Sequence, residues 1–382
     1  MRSIVIWGAG RIGRGFVGDI FREAEGFRTV YVDIDRELTD ALNKAKSYTI
    51  ARATREGISK HRVDGFSAVH TSDEAALSAL FGEEDLLLDI AVHEPRLPQV
   101  ADMLRPLFEQ RAKTGLNMDV MMNVNMARPD AYFADLMGER LSPAALKYFS
   151  DSVGVTGIFA MCISPLTPDW LKKEDPLALW NNGWETQTIS RKALKCPPPE
   201  APRLLLTDDI EREETRKLYT LNMAHALLSY LGLPKGLKTS LEAVRDPELR
   251  NTLEGALTES SAGLEHEFGF GEEEMAAWRE KIIGLLENPY IEDGLQRLGA
   301  DTRRKLSARD RLVGPAGLCL KAGKEPVNLA KAIRAGFLYE NPDEGTREVR
   351  EFYKAYGLAS SVQKYCALSP GDGLYGRIVS DR

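Results

Sequence analysis

Eight residues near the start constrain this chain more than any others. Gly8-Ala9-Gly10-Arg11-Ile12-Gly13-Arg14-Gly15 follows the β-rich run Ser3 to Trp7 and precedes Phe16, Val17, Ile20 and Phe21 at helical spacing. Thr29-Val30-Tyr31-Val32 then reads as a second strand, ending at Asp33, twenty residues beyond Gly13. Strand, glycine turn, helix, strand and acid in that register is the pattern of a sheet unit that holds a dinucleotide. Gly8 permits the tight turn, Gly10 lets a pyrophosphate approach the backbone, and Gly13 lets helix and strand close up. The helix N-terminus adds free N–H groups and the positive end of its dipole. An acid at position 33 accepts hydrogen bonds from the adenosine ribose and repels a 2′-phosphate, so NAD is expected rather than NADP; Arg36 is the one neighbour that could soften that choice. A glycine-rich turn alone is as readily an ordinary loop. The register of all five parts favours the nucleotide reading, with Gly8, Ala9, Gly10, Arg11, Ile12, Gly13 and Asp33 as the candidate cofactor residues.

Further along, Asp85 to Val92 is a nearly continuous apolar run, as a buried parallel strand requires. It ends at His93-Glu94-Pro95, where open α/β sheets bind ligands, so Val92 joins the cofactor set. His93 could touch the cofactor there, although a lone loop histidine is more often incidental. Asp119 to Met126 is another strand-like run, with Asn123 and Asn125 expected on one side of it by alternation. Ser150 to Ser164 again looks like sheet. Lys195-Cys196-Pro197-Pro198-Pro199-Glu200-Ala201-Pro202 is the strongest breaker in the chain. Beyond about Asp208 nearly every segment has helical periodicity, for example 241–258, 272–286 and 327–337. The expected fold is therefore α/β: an N-terminal Rossmann-type doubly wound sheet domain over 1–195, followed by a mainly α-helical domain over 203–382.

A chain of 382 residues is long enough for two such domains. Its net charge of −7, with no Lys/Arg-rich block to offset the acidity, argues against a nucleic-acid partner. No apolar run approaches the ~20 residues of a membrane span. The opening Met1 to Gly8 reads as a strand rather than a secretory signal. Four scattered cysteines without a CxxC pair suit a reducing cytoplasm, and five histidines without an HExxH pair leave a metal no obvious home. A cytoplasmic protein with no membrane or nucleic-acid partner, monomeric or homodimeric, is the expectation.

The second stretch that bears chemistry lies past the middle of the chain. Arg216 to Leu228 reads as one helix of good formers, stopped by Gly232 and Pro234. On this mostly apolar helix, Lys217, Asn222 and His225 are spaced five and three apart. With Lys217 at zero and about 100° per residue, His225 lies near about 80° and Asn222 near about 140°. All three can look into one cavity, or they can decorate a solvated face; spacing alone does not separate the two. Arg303 to Leu312 concentrates cations, which are ordinarily a solvated helix face but suit an anionic ligand.

Lys217-x4-Asn222-x2-His225 downstream of a GxGxxG unit resembles the polyol-specific long-chain dehydrogenases, the mannitol dehydrogenase family. The resemblance runs over essentially the whole chain. It is strongest at Gly8 to Phe16, Lys217 to Asn222 with His225-Ala226, Tyr230-Leu231-Gly232, Glu287-Asn288-Pro289-Tyr290, and Arg304 to Ser307 with Asp310-Arg311-Leu312. It implies metal-independent hydride transfer between NAD and a carbon of a sugar alcohol. Lys217 would then be the general base, Asn222 would polarise the reacting oxygen with Asn125 as a second amide, and His225 would orient that oxygen. Arg297 and Lys305 keep the spacing of the family's substrate-contacting cations. The Tyr-x-x-x-Lys pattern of other zinc-free dehydrogenases is absent. Four positions depart from the family pattern: Met161-Cys162 replaces an Asp-Arg pair, Val124 replaces an acid, and Ala300 replaces an arginine. The implied reaction interconverts a sugar alcohol phosphate and its ketose phosphate, mannitol 1-phosphate and fructose 6-phosphate. The alternatives are the same chemistry on another polyol, hexuronate or sugar phosphate, and an inactive NAD-binding sensor or scaffold.

Overall fold

In the computed structural model, which describes residues 2–84, 86–126 and 128–380, the run before the first glycine is strand β1 (Arg2–Trp7), and the run ending in the acid is β2 (Phe27–Asp33). Met1 and Asp85 lie outside the described residues. The remaining strands are β3 (Ser47–Thr54), β4 (Gly57–Asp64), β5 (Phe66–His70), β6 (Leu86–Ile90), β7 (Met118–Met122), β8 (Val153–Phe159), β9 (Leu179–Asn181), β10 (Gln187–Ser190) and β11 (Leu204–Thr207). Eight of them form one sheet in the order β11-β10-β8-β7-β6-β1-β2-β5. Within it, β5-β2-β1-β6-β7-β8 is parallel throughout. Taken in chain order those six strands run 3-2-1-4-5-6, the doubly wound arrangement of a Rossmann-type domain. The order reverses at β1, and the carboxyl end of the reversing strand is where such sheets take a ligand. A smaller sheet, β4-β3-β9, stands beside the main one.

Hydrophobicity explains which strands sit at the centre. Every residue of β6 and β7 is buried, as are Ser3 to Trp7 of β1, and helix Leu97–Thr114 adds Leu97, Val100, Leu104 and Phe108 to the same core. Strand β7 stops at Met122, short of the run to Met126 expected from sequence. The Met126 N–H turns back to the Val124 carbonyl at 2.9 Å. Alternation therefore does not carry past the strand: Asn123 is buried and donates to Asp89, while Asn125 is exposed.

The chain separates into two units, Met1–Ile210 and Glu211–Arg382. The proline-rich run lies inside the first, and 203–210, assigned from sequence to the second domain, belongs to the first, because β11 pairs in parallel with β10. The cause is polar anchoring that prolines do not reveal. Asp119, buried in β7, accepts the Lys195 and Cys196 N–H groups at 2.7 and 3.3 Å. Asn117 donates to the Lys195 carbonyl at 3.0 Å and Arg2 to that of Pro197 at 2.8 Å.

The second unit is helical. Helix Met223–Gly232, with most of its residues buried, packs against Pro247–Phe268, Leu295–Gly299 and Val327–Leu338. Glu272–Leu286, Val313–Lys321 and Glu344–Cys366 complete the larger helices of the unit. Among the described residues no helix is long and apolar enough to cross a membrane.

Candidate active site

The glycine turn follows β1 at the point where the strand order reverses. Gly8 has φ +103°, and a side chain there would overlap the Ala91 carbonyl. A Cβ on Gly13 would overlap the Gly8 carbonyl, so turn and helix close on each other only without one, whereas a Cβ on Gly10 would meet nothing. The open face at Gly10 is what a pyrophosphate needs to reach the backbone. Helical structure begins at Arg11, so its first N–H groups border that opening. Ala9 and Gly13 are buried, Ile12 is half-buried, and Arg11 is exposed.

Asp33 is fixed rather than free to rotate. One of its oxygens accepts the Ala9 N–H at 2.7 Å and the other the Asp35 N–H at 2.9 Å. Each oxygen keeps a lone pair for a ribose hydroxyl. Trp7, Gly8, Val32, Asp33, Thr71 and Val92 contribute to a cavity of about 270 Å³ at these strand ends, a setting suited to an adenosine moiety. These residues fit an adenine dinucleotide: an uncrowded backbone for phosphate, an anchored acid for ribose and an apolar wall. His93 is exposed and not among the cavity residues. Arg36 donates to Ser72 Oγ at 2.8 Å and to His70 Nδ1 at 3.0 Å, so its guanidinium is tied to the end of β5.

Sequence reasoning passed over Arg14. Its guanidinium is buried beneath the turn, donates to the Ala9 carbonyl at 2.6 Å and to that of Leu177 at 2.8 Å, and stacks over Tyr48. Burial lowers its pKa, yet arginine stays charged at neutral pH, so the turn has a fixed cation under it. An arginine between two glycines was the only signal in the sequence.

In the second unit the expected single helix is three segments. Ile210–Lys217 is α-helical, Leu218–Asn222 is a turn of the wider π type, and Met223–Gly232 is α-helical again. The angles expected from a uniform helix are thereby corrected, since the wider turn adds a residue without adding a full α step. From Arg216 to Tyr230 the only residues not buried are Lys217, Leu218, Asn222 and His225. The helix thus leaves its lysine, amide and imidazole half-buried among buried neighbours, unlike the fully exposed side chains of a solvated polar face.

The electrostatics around these side chains are unusual. Burial lowers the Lys217 pKa, with Glu214 opposing. Lys217 and His225 each keep some open surface while lying deep among protein atoms. The His225 pKa is depressed to about 3, by burial first and then by Arg311, Arg297, Lys305 and Lys217. His225 is therefore neutral at physiological pH, with one ring nitrogen to donate and one to accept. Lys305 is buried, donates to the Leu298 carbonyl at 2.5 Å, and has its pKa lowered to about 8 by burial and then by Arg311 and Arg304. Arg297 is exposed and paired with Asp293. Of the cationic run, Arg303 and Arg304 are exposed, with carboxylate partners at Glu348, Asp301 and Asp310. Arg311 is buried, with Asp310 at 2.7 Å. Arg311 is the residue the sequence reading did not single out, because one arginine in a cluster of them has no mark until its burial is known. Asn125, on the first unit, is exposed at the end of the β7 loop. Met161 is buried in the irregular segment after β8, and Cys162 beside it has its thiol pKa raised by burial. Among the described residues no three His, Cys, Asp or Glu side chains gather in a way that could hold a metal ion.

Comparison with known proteins identifies the family. Residues 2–194 match the family model of the mannitol dehydrogenase Rossmann domain, and residues 209–357 that of the mannitol dehydrogenase C-terminal domain. Mannitol-1-phosphate 5-dehydrogenase of Bacillus subtilis (strain 168) is 30% identical over 378 residues, covering 98% of this chain and 97% of the relative. The Bacillus pumilus (strain SAFR-032) protein of the same name is 31% identical over 381 residues, 98% of each chain. Among solved structures, a D-sorbitol dehydrogenase in substrate-free form superposes with a TM-score of 0.81 at 15% identity, over 98% of this chain and 91% of that one. Pseudomonas fluorescens mannitol 2-dehydrogenase, in ternary complex with NAD and D-mannitol, gives 0.68 at 16% identity over 99% and 90%; at such identities the likeness shows the fold. With both domain models matched in order and relatives aligned over nearly their whole length, the chain belongs to the mannitol dehydrogenase family.

Proposed function

We propose that this protein is an NAD-dependent oxidoreductase that interconverts a sugar alcohol phosphate and its ketose phosphate, mannitol 1-phosphate and fructose 6-phosphate. The observation that carries the proposal is the edge of the second unit's helix. There a lysine with depressed pKa and a neutral imidazole share an electrostatic environment with Arg297, Lys305 and Arg311. Lys305, a buried cation whose pKa is lowered by burial and then by Arg311 and Arg304, is relieved by an anion, and a phosphate ester is the anion such a substrate brings. The relatives named mannitol-1-phosphate 5-dehydrogenase support the choice of substrate.

Each residue then has a role. Gly8 to Gly13 hold the dinucleotide pyrophosphate on backbone N–H groups, and Asp33 takes the adenosine ribose. Val92 lies against the nucleotide. When bound, NAD supplies the two-electron chemistry by accepting or returning a hydride. Lys217 removes the hydroxyl proton in the oxidative direction and returns it in the other. A lysine near its ordinary pKa of ~10.4 is a poor base at neutral pH, and burial brings it closer to the working range. Asn222 and Asn125 donate to the oxygen as charge develops on it. His225, neutral, orients that oxygen by a hydrogen bond without adding a competing charge. Arg297 and Lys305 hold the phosphate. No step requires a metal.

A second reading keeps the chemistry and changes the substrate to a hexuronate or another polyol. It is favoured by Met161 and Cys162, which place no charge where the family pattern has an Asp-Arg pair. The test follows NADH absorbance with a panel of ketose phosphates, free ketoses and ketouronates. Turnover of fructose 6-phosphate is expected. Turnover of unphosphorylated substrates alone would overturn the phosphate assignment. NAD binding with no turnover of any panel member would point to a sensor. In the same assay Lys217→Ala should abolish turnover and leave NAD affinity nearly intact.

A further inference from the structure

The segment between Lys217 and Asn222 is held in its unusual shape by side chains remote in sequence. At its end the Met223 N–H reaches the Leu218 carbonyl, five residues back, and is shared with the Thr220 carbonyl. A wide turn inside an α-helix disturbs the main-chain pairing of nearby carbonyls. Two carbonyls here are engaged by hydroxyls. Thr220 Oγ donates to the Arg216 carbonyl at 2.6 Å, and Ser260 Oγ, on helix Pro247–Phe268, donates to the Tyr219 carbonyl at 2.6 Å. Trp278 completes the arrangement, its indole N–H donating to Thr220 Oγ at 2.9 Å. Thr220 and Ser260 have no exposed surface, and Trp278 has very little.

A threonine bonding the carbonyl four residues back is common in helices and by itself signifies little. Here the same hydroxyl is also an acceptor, and its donor is immobilised. The Arg216 guanidinium stacks over the Trp278 ring at 4.0 Å and over Phe270 at 4.7 Å, and is paired with Glu274 at 2.5 Å and with Glu213. Both the side chain and the carbonyl of the residue before Lys217 are thus tied to Trp278, the carbonyl through Thr220. Residues five apart on an α-helix lie about 140° from each other. A turn closed by five-residue bonds draws them toward the same side, and Lys217 and Asn222 are both half-buried whereas Tyr219, Thr220 and Leu221 between them are buried.

We propose that Thr220 is a positioning residue: bridged between the Arg216 carbonyl and the Trp278 indole, it fixes the wide turn that brings Lys217 and Asn222 to one edge. The proposal rests on the reading of those two side chains as the reacting groups. Thr220→Val keeps the side-chain shape and removes both hydrogen bonds. It should bind NAD as the unaltered enzyme does and keep its KM. Its kcat should fall on the order of 10²-fold, the cost of misplacing a reacting group by about an ångström. The limb of the kcat–pH profile due to Lys217 should move, and amide exchange over 218–223 should accelerate. Thr220→Ser should restore all of these. A folded Thr220→Val enzyme with unaltered kcat and pH profile overturns the proposal, as does a Thr220→Ser enzyme as impaired as the valine variant. Should the valine variant fail to fold, Trp278→Phe removes the donor to Thr220 and keeps an aromatic ring for Arg216 to stack on. A shifted pH limb with reduced kcat then supports the proposal, and unaltered kinetics overturn it. Lys217→Ala separates the two levels: if it retains turnover, the underlying reading fails, whereas an inactive Lys217→Ala beside a fully active Thr220→Val refutes positioning alone.

Discussion

Replacing Asp89 with asparagine should stabilise the first unit, and by an amount that depends on pH. Asp89 is the fourth of the five residues of β6 and has no exposed surface, and burial raises its carboxyl pKa to about 8, with hydrogen bonds from Asn123 and Gln187 opposing. Its Oδ1 and the Gln187 Oε1 are both buried with no partner among the described residues. A proton on the acid removes the buried charge and adds a donor that the carboxylate lacks, and an asparagine amide is neutral and a donor at every pH. The sign follows from linkage. A carboxyl whose pKa is raised on folding contributes its stability in full below the unfolded value of about 3.9 and loses it as pH climbs to about 8. Each unit of that interval costs about 1.4 kcal/mol, so between pH 4 and pH 7 the native protein loses about 4 kcal/mol that Asp89→Asn keeps. Urea unfolding followed by tryptophan fluorescence reads this, because four of the five tryptophans, Trp7, Trp170, Trp180 and Trp184, belong to the first unit. The difference in midpoint between variant and parent should widen steadily from pH 4 to pH 8 and then level off. A difference that stays constant across that range would refute a buried neutral acid.

The remaining predictions concern the two candidate sites. Gly13→Ala places a Cβ against the Gly8 carbonyl, a backbone atom that cannot swing aside; a loss of about 1–3 kcal/mol and weakened NAD binding are expected, and an unchanged melting temperature would sink the packing argument. Asp33→Asn removes the charge that repels a 2′-phosphate and should relax the preference for NAD over NADP, as measured by the ratio of kcat/KM values; an unaltered ratio counts against the ribose contact. Lys305, with its pKa near 8, loses its charge as pH rises through that value. The KM for a phosphorylated substrate should therefore climb above pH 8, and Lys305→Gln should show a high KM without that climb. A climb that persists in the variant assigns it to another group.

What could be read from the sequence is what local covalent geometry dictates. A glycine that must have φ near +100° and another that must lack a Cβ leave marks at single positions, and the acid at the end of β2 is fixed by the length of one strand-helix-strand unit. That is why the nucleotide corner, the parallel sheet and the helical second unit were all legible. The misplacements share the opposite cause. Cys196 and Pro197, left between the two expected domains, stay on the first unit because Asp119 and Arg2 hold their main chain, and no composition rule anticipates that a buried aspartate in β7 will cap a proline-rich run. Asn123 leaves the alternation expected of it because Asp89, on the neighbouring strand, turns it inward. In each case a polar side chain distant in sequence overrode a periodicity that would otherwise have held.

The helix bearing Lys217 shows the same limit where it matters for chemistry. Residue types singled out three side chains, yet a uniform helix sets Asn222 about 140° from Lys217, too far round for two groups proposed to reach one oxygen. The wide turn removes that discrepancy, and nothing between positions 217 and 222 announces it. Its supports are a hydroxyl on a later helix, an indole some sixty positions downstream, and an arginine stacked on that indole. The proposed site is therefore specified in two layers. The reacting groups are written in one short stretch, and the distances between them are written in the side chains that pack against it.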